Sequence, residues 1–458
     1  MLFENSAINL TNSVYQKLVT DSENARREQF KEFHYFYVKD REEIERIIKR
    51  DLVNYKVFDA SSVEKIPFRY SDMIQKALMR LSAGVFDEDP IITIDGEADD
   101  NLSNALLKTK FFPKCKEALK KALFVNTVLS QVVKRDTIEI DNLMPDEVSV
   151  ITDKDYLKAR VIAVTRFDPE KRELYQAVWS DDEHYLLDSF GNRVAVEGNS
   201  AMINPYETLP FSVLRISEGI DFYGEPNWDL YLTQTSVIIQ LMQAEWNRMY
   251  NAHPIWIAKN LNLKDNEVIT PAKIIKLDNV KAEDAEPTLI SVAPNFDFAD
   301  QRQSIEWTIA NALSNLGLPA SSSSTDIVSQ SGTAKKIDEI ELNEIRSSLR
   351  NTSYYYVIDL LEKLRIVWNT WAVEMDEEKI PDGEFDVEFS ETTEAETPEE
   401  KNARREGEIK YYTSNPINFI MEDKEVDEKT ATEEYAKNKQ IISEIKVVET
   451  TKDTNNVG

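Results

Sequence analysis

From Thr333 to Ile380 the chain carries neither glycine nor proline. Ile337, Ile340, Ile345, Leu349, Tyr356, Leu360, Leu364, Val367 and Trp371 recur there at helical spacing. The spacing predicts a single helix over about 333–373, which at 1.5 Å per residue extends roughly 60 Å if straight. Average globular helices are about a fifth to a third of that length. Such an element calls for a kink or for a role between subunits. Upstream, an amphipathic helix over 302–316 is stopped at Gly317-Leu318-Pro319, and a serine-rich stretch separates it from the long helix. That stretch cannot pack on its own, so it is expected to be held out into open space. In a ring, that space would be a channel.

The rest of the chain reads as alternating helical and extended segments. Residues 22–52 carry Phe30, Phe33, Tyr37, Ile44, Ile47, Ile48 and Leu52 at mostly helical spacing. A second helix, Tyr70–Gly84, has Met73, Ala77, Leu78 and Leu81 on one face, and Ile91–Ile94 reads as a short strand. A third helical stretch, about 100–131, is expected to break near Pro113 and to lead into short extended pieces at Gln131–Val133, Thr137–Ile140 and Val148–Thr152. From Ala159 to Leu214 the apolar period shifts towards two, between turn signals, which predicts an antiparallel β-subdomain. Leu230, Val237, Ile238, Leu241, Met242 and Met249 then stripe a helix that ends at His253-Pro254. Three short extended runs, Ile255–Ala258, Lys273–Leu277 and Thr288–Val292, lie between that helix and the one at 302–316. A small unit on two helices, like a head on a stalk, is the expected geometry. A strand at Phe385–Phe389 precedes an acidic tail read as helices broken at Gly407 and Pro416. The fold class is α+β, predominantly helical.

Chemistry is hard to find. No Gly-x-Gly occurs, so the dinucleotide fingerprint and the phosphate-cradling loop are both missing from the sequence. His34, His184 and His253 lie in separate segments, none spaced with a second histidine or a cysteine as a zinc site requires. They are read as surface or partly packed residues, which also argues against a hydrolytic triad. The single cysteine, Cys115, cannot form an intramolecular disulfide and is read as inert packing. Carboxylates such as Asp386 and Glu388 alternate with apolar residues as on a strand with one wet face. No catalytic residue, metal or cofactor is expected, and the chain is read as not an enzyme. Apolar runs fall far short of the ~18–20 residues that span a bilayer. The start of the chain lacks a signal-peptide pattern, so it is expected to stay where it was made. The net charge of −29 gives no basic footprint for nucleic acid. An acidic wall would instead repel phosphates and let a duplex slide past.

Four segments, taken in order, resemble the portal proteins of tailed bacteriophages, in particular the branch from phages of Gram-positive hosts. Arg69–Gly96 is similar to the family's early helix and short strand, and Pro210–Met249 to its aromatic–glycine turn and long helix. Ile309–Leu342 is similar to its helix, Gly-x-Pro break, variable loop and kinked helix, and Phe385–Pro416 to its strand, acidic linker and following helix. Glu225-Pro226 stands where that family commonly has a Gly/Ser-type pair. The resemblance implies a portal-like wing, stem, clip and crown with a long kinked helix and a small antiparallel β-subdomain. The wing takes 1–226, with the β-subdomain at about 159–214, and the long helix and strand of 337–390. The stem helices take 227–253 and 302–319, the clip 254–301, the tunnel loop 320–336 and the crown 391–458.

The resemblance further implies a homo-oligomeric ring, usually a dodecamer, at one capsid vertex of a virion assembled in the host cytoplasm. Double-stranded DNA would pass through it transiently and without sequence preference, during packaging and ejection. The terminase motor and then a head–tail adaptor would dock on it, beside major capsid and scaffolding proteins; no membrane is involved. The tunnel loop would present Ser321, Ser322, Ser323, Ser324, Thr325, Ser329, Ser331, Lys335 and Lys336 to DNA. Val237, Ile238, Leu241, Ile305 and Ile309 would form the stem and subunit interface, and Trp256, Lys273 and Lys276 the clip docking surface. Two other readings are a magnesium-dependent, nuclease-type enzyme built on carboxylate clusters, and a virion structural protein other than a portal.

Overall fold

The chain divides into two compact units, Met1–Ser390 and Glu391–Gly458. The computed structural model describes residues 15–18, 20–54, 60–86, 88–153, 156–168, 172–219, 221–252, 255–259, 274–277, 288–292, 297–318, 332–389, 398–411, 414–424 and 427–453. Within 250–292, 332–341, 398–401 and 441–453, and at 422, it describes the backbone alone.

After a helical turn at 15–18, the first unit has two helices, α1 (Asp21–Val38) and α2 (Arg41–Asn54), where one is expected over 22–52. Lys39 turns left-handed at φ 63°, and the Asp40 carboxylate accepts the Glu43 N–H at 3.3 Å. One helix is thus closed and the next opened at adjacent residues. Both still bury one face, with Phe30, Phe33 and Phe36 on α1 and Ile44, Ile47, Ile48 and Leu52 on α2. The short α3 (Ala60–Val63) and α4 (Ile74–Ala83) follow, and then strand β1 (Ile91–Ile94).

The expected helix over 100–131 is two helices, α5 (Asp100–Thr109) and α6 (Phe111–Val125). The break lies at Lys110, φ 53°, and not at Pro113. Pro113 sits in the first turn of α6, where an N–H has no intrahelical partner and its loss costs nothing. Eight strands follow: β2 (Thr127–Lys134), β3 (Ile138–Leu143), β4 (Val148–Thr152), β5 (Ala159–Asp168), β6 (Glu173–Trp179), β7 (His184–Leu187), β8 (Arg193–Val194) and β9 (Phe211–Arg215).

They form a three-stranded sheet, β3–β2–β9, and a five-stranded antiparallel sheet in sequence order, β4 to β8. The subdomain predicted over 159–214 therefore gains β4 and loses β9. Phe211, Ser212 and Leu214 are all buried, because α6 and the long helix described below pack on β9 and Phe211 meets Trp179 of the five-stranded sheet. A strand covered on both faces loses the alternation that marks the other sheet. For the same reason β2 is buried from Thr127 through Val132.

Next come α7 (Trp228–Ala252), β10 (Ile255–Lys259), β11 (Ile274–Leu277), β12 (Thr288–Val292) and α8 (Phe298–Asn315). The three strands make their own sheet, with β10 central, parallel to β11 and antiparallel to β12. The long helix α9 (Gly332–Trp371) runs unbroken for 40 residues. Its core contribution begins at Leu349 and continues through Tyr356, Val357, Leu360, Leu361, Leu364, Val367 and Trp368. Strand β13 (Phe385–Glu388) then pairs antiparallel with β1, Ile94 opposite Phe385. Phe385 and Val387 point inward while Asp386 and Glu388 stay exposed, as their alternation predicts.

The second unit contains α10 (Pro398–Lys410), α11 (Pro416–Lys424) and α12 (Glu428–Asp453). The break expected at Gly407 does not occur, because α10 runs through it. One glycine inside a helix costs it about 1 kcal/mol, which its neighbours outweigh. Pro416 does open a helix, with the Asn415 carboxamide oxygen accepting the Ile417 N–H at 2.8 Å. Arg405 clasps Asp423 through two 2.7 Å bonds and lies over the Phe419 ring.

Candidate functional site

Helix α7 leads into the small sheet β11–β10–β12 and α8 leads out of it, and the two helices pack on each other. Gln301 Nε2 donates to Gln240 O at 3.1 Å, and Gln240 Nε2 to Thr308 Oγ1 at 3.4 Å. The three extended runs expected between the two helices form one sheet.

The base of the pair is fixed by three sets of contacts. Asn227 accepts the Leu230 N–H at 3.0 Å as a cap for α7, while its own N–H goes to Phe124 O at 2.9 Å. One turn on, Tyr231 stacks on Phe33 at 4.6 Å and meets Phe36 edge-on at 4.9 Å. The buried Gln234 accepts from both Met73 N, at 2.9 Å, and Ile74 N, at 3.3 Å, and donates to Ser71 O. It therefore satisfies the first two donors of α4, whose N-cap residue Met73 makes no side-chain bond, while the Asp72 carboxylate accepts the Gln75 N–H at 3.1 Å. Farther along α7, Arg248 and then Arg69 hold the Glu245 carboxyl down at about 2.

The turn before α7 is built on Gly224. Its φ of +66° is costly for any L side chain, and a Cβ there would strike the Asn126 carboxamide. Asn126 uses that carboxamide to bond Ser217 in both directions, Nδ2 to Ser217 O at 3.1 Å and Ser217 N to Oδ1 at 2.9 Å. The far end of α8 closes in a Schellman motif. Leu318 N donates to Leu313 O at 2.8 Å and Gly317 N to Ser314 O at 2.9 Å, with Gly317 at φ +65° and Leu318 buried.

Of the residues predicted for the stem interface, Val237 and Ile238 are 1% and 0% exposed. Their burial is already complete within this one chain, so a neighbouring copy is not what covers them. Leu241, Ile305 and Ile309 are half-buried. Among the described residues of the helix pair, Phe298 and Met249 are 44% and 42% exposed, and the two most exposed apolar side chains are Leu232, at 54%, and Trp307, at 68%. Both lie off the stripes that the apolar spacing picks out, which is the signal a search for exposed faces could have used. Trp256 and Lys276 lie in β10 and β11, where the backbone alone is described, and Lys273 lies outside the described residues. Ser321, Ser322, Ser323, Ser324, Thr325, Ser329 and Ser331 also lie outside them. Lys335 and Lys336 fall in the opening turns of α9.

Away from the helix pair, one group of potential metal-ligand side chains comes together among the described residues: His34, Asp146 and Glu147. His34 Nδ1 is 2.7 Å from Asp146 Oδ2, and Glu147 Oε2 accepts the Met144 N–H at 2.9 Å. The hydrogen bond to Asp146 raises the His34 pKa. An imidazolium–carboxylate pair joining α1 to the β3–β4 turn accounts for the arrangement. Sequence spacing gave no hint of it, because 112 residues separate the partners.

A cavity of about 740 Å³ is lined by Trp179, His184, Tyr206 and Trp371 with Lys134, Arg135 and Arg166. Its cations already face Glu374, Glu139 and Asp141, so it offers an anion little. His184 stacks on Trp179 at 3.4 Å, and burial lowers its pKa to about 4, so it is neutral at neutral pH. Cys115 is fully buried, which raises its thiol pKa and keeps it unreactive. His253 lies outside the described residues. No described helix is long and apolar enough to cross a membrane.

No family model and no curated protein matches the chain. Among solved structures it is similar to a chain of the virion of a native gene transfer agent particle. That match has 9% identity and a TM-score of 0.37, covering 75% of this chain and 88% of that one. It is also similar to an HK97-family phage portal protein from Corynebacterium diphtheriae. Here the identity is 10% and the TM-score 0.33, over 69% of this chain and 92% of that one.

Proposed function

We propose that the chain is the subunit of a portal ring, a non-catalytic conduit at one capsid vertex through which double-stranded DNA is packaged and later ejected. The observation that carries this reading is the α7–α8 pair with the small sheet β11–β10–β12 at its end. In this reading the pair is the stem and the sheet is the clip on which terminase, and later the head–tail adaptor, docks through Trp256, Lys273 and Lys276. The exposed Leu232 and Trp307 are apolar surface that a ring neighbour would cover. Residues 1–226 and 337–390 form the wing, 391–458 the crown and 320–336 the tunnel loop.

The net charge of −29 suits a channel that must not hold DNA. Against an acidic lumen, Lys335 and Lys336 would give brief phosphate contacts beside the loop serines. Capsid and scaffolding proteins surround such a ring in the assembling virion.

Deletion of Ser321–Ser331 tests the loop assignment. The account expects rings to assemble and DNA packaging to fail. A deletion that abolishes folding would place the loop in a core and contradict the assignment.

A further inference from the structure

The sheet β3–β2–β9 ends on β9, and register decides which of its backbone groups are used. Ile216 N donates to Asn126 O and Val132 N to Pro210 O. In the same register Leu214 faces Val128 and Ser212 faces Ser130. These are the bonded pairs of the antiparallel ladder, so the residues between them turn their N–H and C=O the other way. On β9 they are Phe211, Val213 and Arg215. Among the described residues no strand pairs with that side of β9.

The edge borders an open groove of about 590 Å³ lined by Val213 to Glu218. Its other wall is one face of α9, carrying Asn351, Thr352, Tyr355 and Asp359. Tyr355 is 74% exposed. The Arg215 guanidinium is committed to Phe222 O, through Nε at 3.1 Å and Nη2 at 2.6 Å. The two carboxylates of the groove, Glu218 and Asp359, make no ion pair among the described residues. The groove thus combines a row of unused backbone donors and acceptors with two carboxylates, of which Glu218 also feels the Arg215 charge, so that the lining carries more negative than positive groups.

We propose that the β9 edge is a strand-docking site for an extended, lysine- or arginine-bearing segment of a different protein. That segment adds a fourth strand to the sheet and sets its cationic side chains against Glu218 and Asp359. Main-chain bonds would supply affinity and the charges would supply selectivity. The inference does not depend on the ring reading.

The test uses the full chain and a blocked, fluorescent nonapeptide alternating lysine and valine, followed by anisotropy. The expected result is saturable binding that falls with salt and is lost when glutamate replaces lysine in the peptide. Val213→Pro removes an outward N–H that the sheet does not use, a position an edge strand tolerates. It should weaken binding about tenfold or more. Glu218→Gln with Asp359→Asn should weaken binding and flatten its salt dependence. Should Val213→Pro fail to fold, the same peptide N-methylated at alternate residues replaces it and should not bind. No binding by the lysine peptide, equal binding of the glutamate peptide, or equal binding to both backbone variants would overturn the proposal. So would a self-association of the chain that Val213→Pro abolishes, since the occupant would then be a second copy.

Discussion

The carboxamide oxygen of Gln234 accepts the Met73 N–H at 2.9 Å, across 161 residues of sequence. A side chain in the first half of α7 thereby caps α4 and ties the α7–α8 pair to the helical core. Gln234→Leu would leave the Met73 and Ile74 donors and the Ser71 carbonyl buried without partners. An unsatisfied buried group costs about 1–3 kcal/mol, so a loss on the order of 3 kcal/mol is expected. Urea unfolding monitored by circular dichroism measures it, and a loss below about 1 kcal/mol would show that water replaces the cap.

Tyr356 gives a smaller, sharper case. Ser130 Oγ donates to Asn142 Oδ1 at 2.6 Å, which leaves the Tyr356 hydroxyl as donor to Ser130, also at 2.6 Å. Tyr356→Phe keeps the ring in the core and removes one bond, at a cost of about 1–1.5 kcal/mol. Tyr356→Ala also opens a cavity and should cost about 3–5 kcal/mol. Equal losses for the two variants in denaturant titrations would contradict the packing described for α9 over β2.

The two described histidines should respond to pH with opposite signs. His34 has its pKa raised above 6.5 by Asp146. Its contribution is full below the unfolded value and is lost as pH rises through the folded one. His34→Gln should therefore be less stable than the parent at pH 5.5, and the gap should close towards pH 9. A gap that widens with pH would mean the pair is neutral.

His184 has its pKa lowered to about 4 by burial. Its contribution is present above the ordinary value of 6.5 and falls away as pH drops towards 4. His184→Phe keeps a ring against Trp179 without a titrating group. It should spare the chain up to about 3 kcal/mol of acid destabilisation, seen as a flatter stability profile from pH 6.5 to pH 4. An unchanged profile would place the acid sensitivity elsewhere.

Gly224→Ala should destabilise by more than about 2 kcal/mol, because it adds left-handed strain to a collision with Asn126. Gly407→Ala, inside α10 where a Cβ would meet open space, should instead stabilise by about 1 kcal/mol or less. Thermal unfolding of both variants checks the contrast, and a destabilising Gly407→Ala would reinstate the break expected there.

Local chemistry explains what was legible in the chain. Periodicity located α7, α8, α9 and the strands of the five-stranded sheet, because each presents one wet and one dry face. It misplaced β9 and the start of β2, where both faces are covered and alternation disappears. It merged α1 with α2 because the break at Lys39 is made by a lysine in a conformation usually left to glycine. Long-range partners were out of reach in principle, as Gln234 with Met73 and His34 with Asp146 show. The stripe logic also chose Val237 and Ile238 for a neighbour's surface, although apolar regularity marks what a chain buries within itself. Leu232 and Trp307, off the stripe, are the most exposed apolar residues of the pair.

Negative-stain electron microscopy of the purified full-length chain tests the portal reading most directly. The account predicts closed rings with a central bore wide enough for a DNA duplex, weakened when Leu232 and Trp307 are both replaced by serine. A monomer at every protein and salt concentration, or an assembly without such a bore, would contradict it.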